Sequence, residues 1–348
     1  MLSALGFALA LGLSAPDSRS SLTDDQLALI EDRLTKGGSF KVRLQAALIL
    51  GEGGRLEAEP PLREASHGDA NAQVRAAAAL ALAELGGAEV AGALVEALGD
   101  ENPFVREEAE KGLARLAERL GPPFAQPFGA ALGGAPEQAR AAGVPVFALL
   151  GPAGAEQLAA LVGDDAPTVR TAVAAALARL PPQVAGEALR YALRAGSFTT
   201  RAAAAAALAE RRDALALPDL AALASSPTEL PEVQQAARRA LAALSDLIDP
   251  GVERRRLAEA SAPDDRVRAL VLLVVREGPG AEDACERALG DISPIVQAEA
   301  VEALGRLGDP RALPALRRML DREEDASLHG VLVAAVHAIE RSSRSATH

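Results

Sequence analysis

Few residues of this chain belong to the types that do chemistry. Cys285 is the single cysteine in 348 residues, so neither an internal disulfide nor a cysteine-rich metal site can form. Histidines stand only at positions 67, 329, 337 and 348, and none has the His-Glu-x-x-His spacing that closes on a zinc ion. On one helix His329 and His337 would lie about 12 Å apart along the axis, too far to share an ion. The sequence has no Gly-x-Ser-x-Gly elbow and no phosphate-cradling loop, and the glycines from Gly51 to Gly54 end a helix with no strand before it. Carboxylates are scattered, and Asp164-Asp165 and Asp264-Asp265 recur at one inter-helix position, as capping turns do. Cys285 shares an apolar stripe with Ala281, Ala288 and Leu289, which suits a buried thiol better than a nucleophile. We therefore expect no enzyme, no cofactor and no metal.

Composition narrows the partners. Hydrophobic residues make up 49% of the chain but aromatics only 2%, with no Trp and one Tyr, so the core must be built from Ala, Leu and Val. That much apolar surface has to be buried, which excludes disorder. The net charge of −12 opposes a phosphate backbone, and nucleic acid is not an expected partner. The arginine runs at 211–212, 238–239 and 254–256, with Arg266 and Arg268, read either as a local basic patch or as a solvated, ion-paired face.

At the N-terminus, residues 2–14 carry no charge and a polar stretch, 15–21, follows. Residues 1–14 read as a signal peptide and 15–21 as a linker. A helix of that length spans only about 20 Å against a hydrocarbon core of roughly 30 Å, so no stable membrane insertion of the mature chain is expected. Cleavage would make the protein periplasmic or extracellular; an uncleaved apolar start would leave it cytoplasmic.

One segment recurs along the chain. VRLQAALILGEGG from Val42 matches VRAAAALALAELGG from Val74, VREEAEKGLARLA from Val105, VRTAVAAALARL from Val169, VRALVLLVVREG from Val267 and VQAEAVEALGRLG from Val296, with weaker copies at Ala139, Thr200, Val233 and Leu328. The ten starts lie 29–34 residues apart. Apolar residues at offsets four, five, seven, eight and eleven form one helical stripe, and a second helix precedes each, with Gly and Pro between them. The unit is an antiparallel helical hairpin. Thr23 to Gln26 forms a capping box that starts the first helix. In the fourth unit, Gly143 and Pro145 are expected to interrupt the second helix and make an irregular seam.

The run SPIVQAEAVEALGRLGDPRALPALRRML, residues 293–320, together with these in-phase copies, resembles HEAT repeats of the short bacterial kind also seen in phycobilisome-lyase-like proteins. The resemblance implies an all-α, right-handed α-α superhelix of about ten hairpins over residues 22–340, leaving 341–348 as a disordered tail. It also implies a structural Asp–Arg ladder, here Arg43, Arg75, Arg106, Arg140, Arg170, Arg201 and Arg268, paired with acids such as Asp69, Asp100, Asp165 and Asp264. The other reading of those arginines is an anion-binding ladder.

The implied function is a noncatalytic scaffold that binds a protein or peptide on the concave face of the stack. An enzyme or enzyme subunit of the bilin-lyase accessory type is the alternative. The concave face is expected to expose Ala141, Ala142, Thr171, Ala172, Ala175, Ala202, Ala203 and Ala206, a smooth uncharged paving. Phe104, Phe124, Phe128 and Phe147 gather near the fourth unit and either fill its core or, as Phe124 and Phe128, offer a partner-binding patch. In the last helix, Val331, Ala334 and Ala338 leave a nearly uncharged outer side, which allows self-association there.

Overall fold

The computed structural model describes residues 22–322 and 326–345, so the signal peptide expected at 1–14 and the linker at 15–21 lie outside the described residues. Among the described residues the protein is all-α, and its helices alternate as first and second members of ten hairpins. These are α1 Asp24–Lys36 with α2 Phe40–Gly53, α3 Glu59–Gly68 with α4 Ala72–Leu85, and α5 Ala91–Leu98 with α6 Pro103–Leu120. Then come α7 Ala125–Gly133 with α8 Glu137–Phe147, α9 Gly151–Leu161 with α10 Pro167–Arg179, and α11 Pro182–Ala195 with α12 Phe198–Glu210. The series ends with α13 Leu217–Ser225 and α14 Pro231–Ala243, α15 Pro250–Glu259 and α16 Pro263–Glu277, α17 Glu282–Ala288 and α18 Pro294–Leu307, and α19 Leu313–Leu320 and α20 Ala326–Ser345. Two compact units divide between Ala188 and Leu189, inside α11.

The repeat register follows from where each second helix begins. Nine of the ten expected starts, from Val42 to Leu328, fall on the third residue of a second helix. The exception is Val267, the fifth residue of α16, because that helix begins at Pro263. Shifting this unit to Asp265 makes the flanking intervals more even. The buried third-position residues Val74, Val105, Val169, Val233 and Val296 are fully enclosed and hold each helix to its neighbours.

Small residues permit this packing. Within unit 1, α2 packs on α4, α4 on α6 and α8 on α10; within unit 2, α12 packs on α14, and α18 on both α16 and α20. A Cβ on Gly51 would lie 2.7 Å from the Ala81 Cα, so α2 and α4 touch almost backbone to backbone. Gly305 meets Ala335 in the same way between α18 and α20, at 3.0 Å from its Cβ. Leucines fill the space between first and second helices, Leu50, Leu62, Leu82, Leu94 and Leu113 among them. The N-terminus is held as expected: Thr23 Oγ1 accepts from the Gln26 amide, and the Gln26 side chain accepts from the Thr23 amide.

In the fourth hairpin, α8 runs unbroken through Gly143 and Pro145 to Phe147, contrary to the expected interruption. Gly143 serves close packing there, since a Cβ would approach Leu132 Cδ1 to 2.7 Å and Phe128 Cζ to 3.2 Å. The irregularity comes after the helix, in a single 3-10 turn, Ala148–Leu150, and Gly151 at φ 59°. The stretch Glu137–Leu161 has the length and apolarity of a membrane span. Here it is two helices joined at that glycine, with Ala139, Val144, Phe147, Ala155 and Leu158 buried in the hairpins. At the C-terminus, α20 continues to Ser345, beyond the helix end expected at 340, and Ser343 Oγ donates to the Ile339 carbonyl.

Left-handed residues carry the chain from second helices into the hairpins that follow. Gly54, Gly86, Gly121, Gly151, Gly278 and Gly308 all have positive φ, as the end of a helix often requires. After α12 the same place is taken by Arg212, at φ 54°, the one non-glycine with positive φ among the described residues. The Asp213 amide reaches the Leu208 carbonyl at 3.0 Å around it, closing the helix end. Arg212 keeps an exposed ion pair with Asp246, worth little. Arg212→Gly should therefore relieve the left-handed backbone and stabilise the protein by about 1 kcal/mol, less a few tenths for the lost pair. A raised denaturant midpoint with unchanged slope is the expected reading; a lowered one would show that the pair outweighs the backbone.

Candidate functional site

The polar chemistry of the described residues concentrates at the turns between first and second helices. At the fourth position of the nine second helices from α2 to α18 a long donor folds back onto its own turn. Arg43 donates to the Gly37 carbonyl at 2.8 Å, Arg75 to Asp69 O at 2.8 Å, and Arg140 to Ala135 O at 2.9 Å. Arg201 donates to Gly196 O at 2.7 Å and Arg266 to Ala260 O at 2.8 Å. Where a carboxylate stands in the turn of the next hairpin, the same guanidinium grips it, with two further bonds to each of four aspartates and one to Glu229. Arg43 holds Asp69 at 2.6 and 3.0 Å, Arg75 holds Asp100 at 2.7 and 2.9 Å, and Arg140 holds Asp164 at 3.0 and 2.8 Å. Arg266 holds Asp291 at 2.9 Å through both nitrogens, and Arg201 reaches Glu229 at 2.7 Å. The planar fork matches a carboxylate in this geometry, which a lysine could not reproduce. Each Asp also accepts an amide two residues on, from Asn71, Asn102, Ala166 and Ser293, and so shapes the turn that it ties.

The helix start, and not the Val-Arg dipeptide, selects the donor. Arg268 is therefore not a rung: it is the sixth residue of α16 and pairs with Asp265 on its own helix at 3.0 Å, while Arg266 at the fourth position takes the clamp. Asp164, three residues before α10, takes the role expected of Asp165, and Asp264 falls inside the first turn of α16. Arg106 and Arg170 donate only to carbonyls of their own turns, because Gly134 and Ala195 stand where an acid would be in the repeats that follow. Gln234 and Gln297 substitute for arginine, donating to Ser226 O at 2.6 Å and Asp291 O at 2.7 Å. Counting from the predicted helix start would have found these positions; the Val-Arg motif hid them.

The carboxyls respond to the clamp. Burial pushes Asp69 and Asp100 up, but the bonds from Arg43 and Arg75 and from the turn amides more than offset it and leave both below the usual carboxylate range. For Asp164 and Asp291 the guanidinium bond is itself the largest influence, and it lowers them. Glu299 goes the other way: burial raises it despite Arg306 beside it.

The residues expected on a binding face fall into two groups. Thr171, Ala175 and Ala206 are exposed, and Ala141, Ala142, Ala172, Ala202 and Ala203 are half-buried, so the small-residue stripes of α8 and α10 in unit 1 and of α12 in unit 2 reach the surface. Phe124 and Phe128 do not. They are 1% and 0% exposed, their rings stack at 5.5 Å, and Phe147 leans on Phe128 at 4.7 Å, so they are core and not a partner patch. Phe104 lies outside this cluster and is exposed. Cys285 is fully buried, and burial pushes its thiol up to about 12, which removes nucleophilic character at neutral pH. Among the described residues no group of three or more His, Cys, Asp or Glu could hold a metal.

In unit 2, Val331, Ala334 and Ala338 do not form a flat outer side of α20. They line a groove of about 660 Å³ together with Glu302, Gly305 and Arg306 of α18 and Arg238 of α14.

The HEAT repeats family matches residues 27–114, 154–242 and 254–336, so the chain belongs to the HEAT-repeat proteins. No protein of curated function matches its sequence. Among solved structures it is similar to Kap121p, at 15% identity over 90% of this chain and 41% of that one, with a TM-score of 0.40. It is also similar to the CpcE–CpcF complex of phycocyanin lyase from a Nostoc species, at 20% identity over 75% and 97% of the two chains and a TM-score of 0.31. A third likeness is to human deoxyhypusine hydroxylase, at 20% identity over 73% and 96% and a TM-score of 0.29. The chain spans less than half the length of Kap121p.

Two outcomes follow from the clamps. Arg75→Ala strands Asp100 in a site where both side chains are about nine-tenths enclosed, and should cost about 2–4 kcal/mol in denaturant unfolding. Arg106→Ala, with no carboxylate to strand, should cost under about 1.5 kcal/mol; equal losses would mean that the carbonyl bonds do the holding. The second outcome concerns pH. Because the folded carboxyls titrate below their unfolded value of 3.8, the stability they add is complete above that pH and is lost as pH falls through the folded values. Glu299, raised in the fold, has the opposite sign and favours the folded state in mild acid. Stability should therefore fall from about pH 4 downward, and the fall should be shallower in Asp164→Asn, measured by urea midpoints at successive pH values.

Proposed function

We propose that this HEAT-repeat protein is a noncatalytic scaffold that binds a protein or peptide segment along its second helices. The observation that carries the reading is the rows of Ala and Thr that these helices present, on α8 and α10 in unit 1 and on α12 in unit 2, each exposed or half-buried. Their guanidinium groups, by contrast, are turned back into the turns. Such a surface loses little side-chain entropy on contact and lets another backbone approach closely. The charged clamps lie at the turns, where they make the repeats rigid without occupying that face.

The protein itself is the bait. Partners are captured from an extract of its native host by the wild-type chain and by the double variant Ala172→Arg, Ala203→Arg, each checked for an unchanged melting temperature. The variant should lose the captured partner. Retained capture by a folded variant would overturn the proposed face, and a coloured or turnover-competent purified protein would overturn the noncatalytic reading.

A further inference from the structure

One rung of the ladder in unit 1 holds no carboxylate. In α2, α4 and α8 the fourth-position arginine donates to its own turn through Nη1. That leaves Nε and Nη2 to grip an aspartate three residues before the next second helix, Asp69, Asp100 and Asp164 in turn. Arg106 of α6 makes the same first bond, from Nη1 to the Asp100 carbonyl at 2.7 Å and to the Glu101 carbonyl at 3.0 Å. The residue three before α8 is Gly134, where a Cβ would meet nothing within 4 Å, so the place of the carboxylate is open. In the other turns an amide two residues on bonds the carboxylate, whereas here Pro136 has no N–H to give.

The acids around Arg106 leave its fork empty. Its charge acts on Asp100, but Arg75 already holds both oxygens of that carboxylate, just as Arg75 acts on Asp69 while it grips Asp100. Its charge also acts on Glu110, four residues along the helix, where burial and Glu107 nevertheless keep the carboxyl above the usual range. Among the described residues Arg106 has no ion pair, and its Nη1 alone is bonded. On the same first turn of α6, Phe104 is 49% exposed, where Lys41, Gln73, Gln138 and Thr168 stand in the other second helices of unit 1.

Resting on the scaffold reading, we propose that Arg106 is a docking site for an aspartate in a loop of a partner protein, which takes the place that Asp69, Asp100 and Asp164 take at the other rungs. Those rungs define the ligand: a carboxylate set against Nε and Nη2, in the two-bond geometry that a guanidinium offers and an ammonium does not. Because Pro136 supplies no amide, the incoming aspartate brings its own, as an Asp does when it bonds the amide two residues on in its turn. Asp100 and Glu110 favour a single negative charge there over a phosphate dianion. The exposed ring of Phe104 suits an apolar neighbour of that aspartate.

The test uses the whole protein, isotope-labelled on nitrogen so that amide signals of the first turn of α6 report binding. The probe is a capped peptide of residues 289–295, Leu-Gly-Asp-Ile-Ser-Pro-Ile, whose Asp291 accepts the Ser293 amide within this chain. It should bind about tenfold more tightly than its Asp291→Asn version, and the gap should narrow as salt is raised. Arg106→Ala should abolish the preference, and Arg106→Lys, which keeps the charge and loses the fork, should lose most of it. Phe104→Ala should weaken both peptides alike, and acetate should displace the peptide at a lower concentration than inorganic phosphate. Thermal melts establish that each variant is folded, and Arg106→Gln repeats the measurement if Arg106→Ala melts early. Equal binding of the two peptides, an Asp peptide indifferent to Arg106→Ala, or full binding by Arg106→Lys would overturn the inference. So would phosphate displacing the peptide before acetate does. A dimer, seen by sedimentation, that Arg106→Ala dissociates would also overturn it, since the occupant would then be a second copy. If partner capture still depends on Ala172 and Ala203 while the peptide fails here, only this site is refuted; if neither holds, the scaffold reading falls as well.

Discussion

The tie between successive turns rests on one interaction, the arginine that donates to the carbonyl of its own turn and grips the aspartate of the next. The carbonyl bond fixes the angle at which a first helix turns into a second, and the bidentate carboxylate bond ties that angle to the neighbouring hairpin. The Asp does two jobs, since the oxygen facing the guanidinium also accepts an amide of its own turn. Removing either partner leaves the other enclosed and unsatisfied, a steeper penalty than the pair's net contribution. Where the acid is replaced by Gly134 or Ala195, the arginine keeps the local bond and the tie is dropped.

With its polar work done at the turns, the stack can be assembled from small side chains. Alanine and glycine bury little area each, about 25 cal/mol per Å² of it, so they stabilise only if backbones come close. The contacts of Gly51 with Ala81 and of Gly305 with Ala335 are that closeness. The exception is the fourth hairpin, where three phenylalanines pack together and Gly143 leaves room for a ring. Bulk there replaces the regular leucine filling next to a proline within α8.

The same economy shapes the surfaces. The rows on α8, α10 and α12 hold Ala and Thr, whereas α6 exposes Glu107 and Lys111, and in the groove of unit 2 Arg306 finds partners in Glu299 and Glu302. Among the described residues Arg238 donates to the Ala224 carbonyl, and its charge acts on the buried Glu299 carboxyl.

Periodicity determined the helices, their number and their alternation, because a 3.6-residue apolar stripe and Gly or Pro between stripes are local properties. The capping box at Thr23 and the buried Cys285 were legible for the same reason, being written in residues a few positions apart, whereas the arginine ladder, whose partners stand about 25 residues apart, was expected only through the resemblance to HEAT repeats. The tertiary structure decided which charge meets which. Arg266 displaces Arg268 because helix α16 starts at Pro263, and a two-residue error in a start rotates a side chain by about 200° around the axis. Whether Phe124 and Phe128 face solvent or core, and whether Ala334 lies on a flat side or in a groove, depends on neighbours brought in from elsewhere in the chain. Spacing along one helix specifies a direction around its axis; only the packed structure specifies what stands there.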